Sequence, residues 1–587
     1  MASTRSHQQS DGRVLDETET VPSFRPRGNE VRIRMYGQGL GDCFLLAFPR
    51  TRSTPAVPAG AERPVYVLID CGVITGTPNG SQRMKQIVHD IQLTTQDESL
   101  PRAGDEPRGH LDLLILTHEH WDHLSGFIDA RDEWERIQVD QLWMSWMEKD
   151  DPNGLAGVLQ KLKDKQRRAL VEVVRRAAQT PGEDGLNIAV EIASFLSEAR
   201  FEGQEFAVGR SLADGLAFAK ERVENENDRT FCEPGEVHVV PGTSAVAYVL
   251  GPPQDWERLN TMNPSTKTPE TYISGQERAL AESHSLFSLG RMLDQRSQFN
   301  AFVMPLLGPA LAATDETDDN EEAIAEKDLF DRSFPFDHTI RVPIPTAEVA
   351  SNSAPTAYPA LSSYFNPINH WRRIDVDWLG TADSFALAVD NFINNTSLAL
   401  AFELPAHAGD EQKVLLFVAD AQVGNWLSWD DLGEWKPQGD ARPAQQTPNL
   451  ADLFRRAAFY KVGHHGSHNA TLKEKGVERM RDDGQLTAFV PVSASVAHMI
   501  KDWQAMPLQE ILNALATRTD GRVVFPNGNI WDHGTQQERS PNARERDHIG
   551  LEQSQEMLPE KNREQDDGTV KHIEDEVPLW VQIAVDY

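Results

Sequence analysis

Apolar and polar positions alternate over Val31-Arg32-Ile33-Arg34-Met35-Tyr36, the period-two pattern of a strand with one buried face. A glycine-rich turn, Gly37 to Asp42, separates it from a second apolar run, Cys43 to Phe48, and a third, Val65 to Ile69, ends at Asp70-Cys71-Gly72. Met84, Ile87, Val88 and Ile91 recur near helical spacing and predict a helix over residues 80–92. Leu113 to Leu116 is a short apolar run flanked by polar residues, as in a buried strand, and Val139 to Met147 predicts another. Residues 150–225 are helical in character. Strand patterns return at Val237 to Pro253, Asn394 to Phe402, Val414 to Val418 and Ala458 to Val462. Ala488 to Val492 and Arg522 to Phe525 flank a predicted helix over Leu508 to Thr517, and Leu579 to Val585 reads as a closing strand.

Composition narrows this picture. A chain of 587 residues is long enough for two to four domains, or for one domain with large insertions. Asp and Glu outnumber Lys and Arg by 90 to 57, and the net charge of −33 opposes non-specific attraction to nucleic acid or anionic membrane. A local positive groove stays compatible with that balance. Cys43, Cys71 and Cys232 are widely spaced with no CxxC pair, which argues against a disulfide framework and fits a reducing compartment. The first twenty residues lack the apolar core of a signal peptide, and no segment approaches the roughly 20 apolar residues that span a bilayer, so a soluble, cytoplasmic protein is expected.

Three biased segments stand out. Residues 1–29 are polar and predicted to be disordered. Lys161, Lys163, Lys165, Arg167, Arg168, Arg175 and Arg176 concentrate positive charge against only Asp164 and Glu172; they read either as a solvated helix face or as a phosphate-backbone contact surface. Asp315 to Asp328 is acidic without calcium-loop spacing and is expected to be a solvated loop, followed by a Pro/Ser/Ala-rich stretch over residues 343–361.

The candidate chemistry begins where the Leu113–Leu116 run ends. Thr117 is followed by His118, His120, Asp122 and His123, four residue types that ligate metals, and imidazole with carboxylate suits zinc, manganese or iron. Asp420 follows the strand pattern KVLLFVA, and Ala458 to Val462 runs into Gly463-His464-His465-Gly466-Ser467-His468. Neighbouring side chains on an extended backbone point to opposite faces, so one histidine of the doublet is expected to ligate unless the backbone bends. His464 is the expected ligand, with His465 or Ser467 contacting substrate and His468 peripheral.

HEHWDH resembles the HxHxDH motif of the metallo-β-lactamase superfamily. GQGLGDCFLLAF with VLIDCG, NNTSL and GHHGSH resemble the GQGD hairpin, LIDxG strand, NNxSL strand and PHHGS motif of its ComEC-type branch. The resemblance covers residues 31 to 130, 237 to 253 and 390 to 530. It implies an α/β fold, the αββα metallo-β-lactamase sandwich, with large helical and loop insertions. The implied division is a tail (1–29), a first half with HxHxDH (30–150), a helical insertion (151–236) and a core strand (237–253). An insertion with the acidic loop (254–372), a second half with Asp420 and GHHGSH (373–533) and a charged tail with the closing strand (534–587) follow.

The resemblance also implies a site. His118 and His120 would hold one ion, Asp122, His123 and His464 a second, and Asp420 would bridge them; the ions would be Zn2+ or Mn2+. Asp122, Asp420 and His465 would carry catalysis. Ser467, Asn395 and Asp42 are candidate substrate contacts, Asp42 reading equally as a turn residue, and Asp70 is expected to support the site rather than ligate. Relatives bring a further histidine to the first ion; here Asn394, Asn395, a water, His370 or His407 would fill that place. His498 is a candidate proton donor or a core histidine. The implied activity is hydrolysis by a metal-activated water, on a phosphodiester such as nucleic acid. A phosphorylcholine esterase, a lactonase or a non-catalytic partner-binding protein with structural metals would share these residues. ComEC-type domains usually sit beside a membrane channel, whereas this chain has no channel segment.

Overall fold

The alternating stretch near the N-terminus forms β1 (Glu30–Tyr36), but all seven of its residues are buried. Its polar positions are covered because each finds a partner. Arg32 Nε pairs with Glu30 at 2.9 Å, while Arg34 lies over the rings of Phe24 and Trp580 and pairs with Asp90 at 2.8 Å. The second and third apolar runs form β2 (Phe44–Phe48) and β3 (Val65–Ile69), the helical spacing forms α1 (Gly80–Thr94), and the run before the histidines forms β4 (Leu113–Leu116). The computed structural model describes residues 24–178, 199–272 and 386–587, with short stretches inside each left out. The expected tail through residue 23, the acidic stretch Asp315 to Asp328, residues 343–361, His370 and His498 lie outside the described residues.

Two large mixed sheets result. The first has eight strands, in spatial order Arg229–Cys232, Leu142–Ser145, β4, β3, β2, β1, the closing strand Trp580–Asp586 and Glu552–Gln553. The second has ten; at its centre β5 (Ala399–Glu403) pairs antiparallel with β6 (Val414–Phe417), which pairs parallel with β7 (Ala457–Lys461). Side chains alternate across each strand. Ile33, Phe44, Leu46 and Ile115 of the first sheet share one buried cluster with Leu400, Phe402, Phe417 and Phe459 of the second. Phe417 meets Phe44 edge-on at 5.6 Å, and its truncation to Ala would cost about 3–5 kcal/mol.

The opposite faces carry helices. Leu45 and Leu114 pack with Met84, Ile87 and Ile91 of α1 and with Leu124 and Phe127 of α2 (Trp121–Asp129). Leu416 and Tyr460 pack with Trp426 of a second-sheet helix and with Leu512. Strands covered on both sides read as continuous apolar runs, which is how β2, β3, β4 and β6 look in the sequence.

Three sequence regions expected to be simple are more divided. The region 151–236 holds α3 (Leu155–Ala178) and the helix Leu212–Glu221, but also the hairpin Ala199–Glu202 with Glu205–Val208 and the edge strand Arg229–Cys232. The pattern at Val237 to Pro253 is two antiparallel strands, Glu236–Val239 and Val246–Gly251. Within 534–587, Asn542 and Glu545 form a capping box that starts the helix Ala543–Ile549, closed by Gly550 at φ 70°.

Candidate metal centre

The site gathers at the ends of parallel strands, the edge at which open α/β sheets characteristically bind ligands. In the first sheet β3 and β4 are parallel and deliver Asp70 and then Thr117, His118 and His120. In the second, β6 and β7 deliver Asp420 and the His464-His465 doublet. The two halves are stitched directly, as Leu398 N donates to Thr117 O at 2.9 Å, while within the first half Asp42 N donates to Asp122 O at 2.9 Å. Gly41 and Gly72 let these loops touch, since a Cβ on Gly72 would fall 2.3 Å from the Asp122 carbonyl carbon. Asp70, Ala419, His464 and His465 all adopt positive φ, from 41° to 55°, a conformation uncommon for residues with a Cβ. Strain is thus concentrated where the strands hand over to the site.

Asp122, His123, Asp420 and His465 bring four donor atoms within 4.8 Å of one another. His465 Nε2 lies 2.8 Å from Asp122 Oδ2 and 3.5 Å from Asp420 Oδ2. His123 Nε2 lies 3.2 Å from Asp420 Oδ2 and 3.7 Å from Asp122 Oδ2. Metal–ligand bonds of about 2.1 Å in a tetrahedron require ligand separations of roughly 3.4 Å, so these edges match a single ion.

The hydrogen bonds behind the cluster fix which nitrogen faces it. His123 Nδ1 donates to Asp70 Oδ2 at 2.8 Å, and His465 Nδ1 donates to the Pro491 carbonyl at 3.0 Å. Thr117 Oγ1 donates to Asp70 Oδ2 at 2.6 Å, which leaves its lone pair to accept from His118 Nδ1 at 3.0 Å. Each of the three rings therefore turns the lone pair of Nε2 inward, as metal-bound histidines do when the other nitrogen is anchored. A lone pair facing a carboxylate oxygen at 2.8 Å demands a positive charge between them, proton or metal ion. Burial pushes His123 and His465 toward neutrality, yet the Asp420 and Asp122 carboxylates outweigh it and raise both. The field that draws a proton there also draws a cation. Two imidazole nitrogens and two carboxylate oxygens form a donor set that could hold a metal ion.

His118 and His120 form a neighbouring pair, with His118 Nε2 3.1 Å from His120 Nδ1. Burial and the imidazoles of His123 and His120 push His118 well down, leaving it neutral and ready to ligate. Asp390 Oδ1 lies 3.5 Å from His120 Nε2, but among the described residues no Asp, Glu, Cys or His makes with both histidines a group whose donor atoms all lie within 4.8 Å of one another. His407 is exposed, away from the buried donors.

His465, expected to face substrate, is 1% exposed and joins the four-donor group, whereas His464, the expected ligand, does not. The reason is the backbone: His464 and His465 sit at φ 41° and 54°, not on an extended strand, so alternation does not apply. His464 Nδ1 is held 2.9 Å from Ser467 Oγ, with Nε2 3.5 Å from Asn394 Nδ2, and burial lowers it to about 4.

The three expected substrate contacts each have partners within the protein. Ser467 Oγ donates to Asn469 Oδ1 at 2.9 Å while holding His464. Asn395 spends its amide on the Leu259 and Thr261 carbonyls and accepts from Asn425 N. Asp42 is 2% exposed and turned onto Lys461.

Two features escaped the sequence reading. Lys461, fully buried at the end of β7, contacts both Asp42 and Asp420; its signal is a lone charge inside the apolar run AAFYKV. Glu119, between the two histidines of the motif, is gripped by Lys163 at 2.8 Å and Arg167 at 3.1 Å from α3. Part of the basic segment is thereby turned inward, while Lys161, Lys165 and Arg168 stay exposed.

Comparison with protein families, with curated proteins and with solved structures returns no match for this chain. Among the described residues no helix is long and apolar enough to cross a membrane.

Proposed function

We propose that the chain is a metal-dependent hydrolase of the metallo-β-lactamase type, its two sheets and flanking helices forming that superfamily's αββα sandwich. The observation that carries this reading is the convergence of Asp122, His123, Asp420 and His465 from stretches about 300 residues apart. Buried carboxylates that face imidazole lone pairs require a positive charge between them, which a divalent ion would supply. Asp122, His123, Asp420 and His465 would hold one ion and His118 with His120 would begin a second site. A bound divalent ion supplies Lewis-acid chemistry, polarising an ester oxygen and making hydroxide available near neutral pH.

The residues of the chain have separable tasks. Asp70 and the Pro491 carbonyl orient the rings of His123 and His465. Asp122 and the neighbouring His464 are less deeply buried than His123, Asp420 and His465, so substrate would reach the centre from their side. His464, neutral and fixed by Ser467, contacts the substrate there.

A phosphodiester fits best. The exposed Lys161, Lys165 and Arg168 lie on the same helix that Lys163 and Arg167 fasten to the metal motif through Glu119. They offer screened contacts to an extended polyanion, and a small lactone would gain nothing from them. The test is chelator-stripped protein reloaded with Zn2+ or Mn2+ and assayed on bis-nitrophenyl phosphate, single- and double-stranded nucleic acid, a phosphorylcholine ester and a lactone. Phosphodiester cleavage that disappears on stripping and in Asp420→Asn is expected. Metal-loaded protein that cleaves none of these overturns the enzyme reading, and cleavage of only the lactone or choline ester moves the substrate class.

A further inference from the structure

Lys461 carries an ammonium between two buried carboxylates, and every proton on it is used. Nζ donates to the Ala419 carbonyl at 2.9 Å, to Asp420 Oδ1 at 3.1 Å and to Asp42 Oδ2 at 2.5 Å. An ammonium has three donors, so this tripod is saturated. The consequence falls on Asp420. Its Oδ1 is engaged by Lys461, while Oδ2 alone faces the Nε2 atoms of His123 and His465.

Asp42 depends on the same ammonium. It is 2% exposed and its Oδ1 has no hydrogen-bond partner among the described residues. With Asp70 and His123 it makes a second group of potential ligands, but His123 Nδ1 is already donating to Asp70, and Lys461 rests on Asp42 itself. A positive charge thus already rests on Asp42 and on Asp420 Oδ1.

We propose that Lys461 is a positioning residue, a built-in cation that reserves one oxygen of Asp420 and leaves the other as a single-oxygen ligand. The proposal rests on the metal-hydrolase reading. Asp42 serves it as the counter-charge that holds the ammonium in place. The pair keeps Asp420 from clasping an ion through both oxygens.

The test is a Co2+ titration of the full chain followed by its visible ligand-field absorption, which weakens as ligand number rises, with circular dichroism as the check on folding. Lys461→Met is expected to lower Co2+ affinity about 10–100-fold, the usual loss when the partner of a ligand is removed. It leaves two carboxylates unpaired and can fail to fold, so Asp42→Asn/Lys461→Met, which removes both charges, is measured beside it. The double variant is expected to fold and to bind Co2+ with a weakened absorption band, because Asp420 Oδ1 is released. Lys461→Arg keeps the charge and is expected to retain more of the wild-type band. A double variant with wild-type affinity and spectrum overturns the proposal and leaves the hydrolase reading standing, and so does a double variant that does not fold. Wild-type protein that takes up no Co2+ overturns both.

Discussion

His465 Nε2 and Asp122 Oδ2 lie 2.8 Å apart although 343 positions separate them in the chain. This contact joins the GHHGSH turn of the second sheet to the HEHWDH loop of the first, and under the proposed function the two histidines of the doublet have different tasks.

Substitution of each should separate those tasks. His465→Ala is expected to lower metal affinity by about 10–100-fold or more, since it removes one of four donors. His464→Ala should keep its metal content while kcat on a phosphodiester falls. Elemental analysis beside steady-state kinetics reads both, and loss of metal in His464→Ala alone would return that residue to the ligand set.

Asp70 is a support whose removal should be felt at a distance. Its carboxylate accepts from Thr117 N at 2.8 Å, Thr117 Oγ1 at 2.6 Å and His123 Nδ1 at 2.8 Å. Asp70→Ala strands those donors and is expected to cost about 1–3 kcal/mol of stability. Denaturant titration measures that, and metal affinity should fall in the same variant.

The Glu119 cluster predicts an acid-sensitive contribution to stability. Burial alone would raise its carboxyl, but Lys163 and Arg167 outweigh burial and hold it at about 2. A folded-state value below the unfolded one means the stabilisation is complete above the unfolded value of about 4.5 and drains away as pH falls toward 2. The shift corresponds to an upper bound of about 3 kcal/mol. Metal-free protein unfolded by urea at a series of pH values should show this loss, and Glu119→Gln should flatten it.

Gly72 tests the close approach of the two loops. A Cβ there would lie 2.4 Å from His123 N and 2.5 Å from Asp122 O, backbone atoms that cannot turn aside as a side chain would. Gly72→Ala is expected to destabilise by about 1–3 kcal/mol or more and to displace Asp122 and His123 together. Thermal unfolding with and without added Zn2+ should show reduced stabilisation by the metal.

Much of the scaffold was legible because its signals are local. β4 runs Leu113–Leu116 as its apolar residues predict, and α1 and the helix Gln509–Thr519 follow their spacing closely. The capping box of Asn542 and Glu545 was equally readable, but charge-rich surroundings hid it. The division of Val237 to Pro253 into two strands was not visible as periodicity, since both hydrophobic stretches join through a short polar turn.

The sequence by itself determined which side chains can do chemistry, because ligand-type residues cluster at the ends of apolar runs that must become buried strands. Tertiary structure alone decided how they are used. Positive φ at His464 and His465 turns the second histidine inward, and packing of the two sheets sets Lys461 between Asp42 and Asp420. Those outcomes depend on backbone angles and on contacts between residues hundreds of positions apart, which no local pattern of polarity encodes.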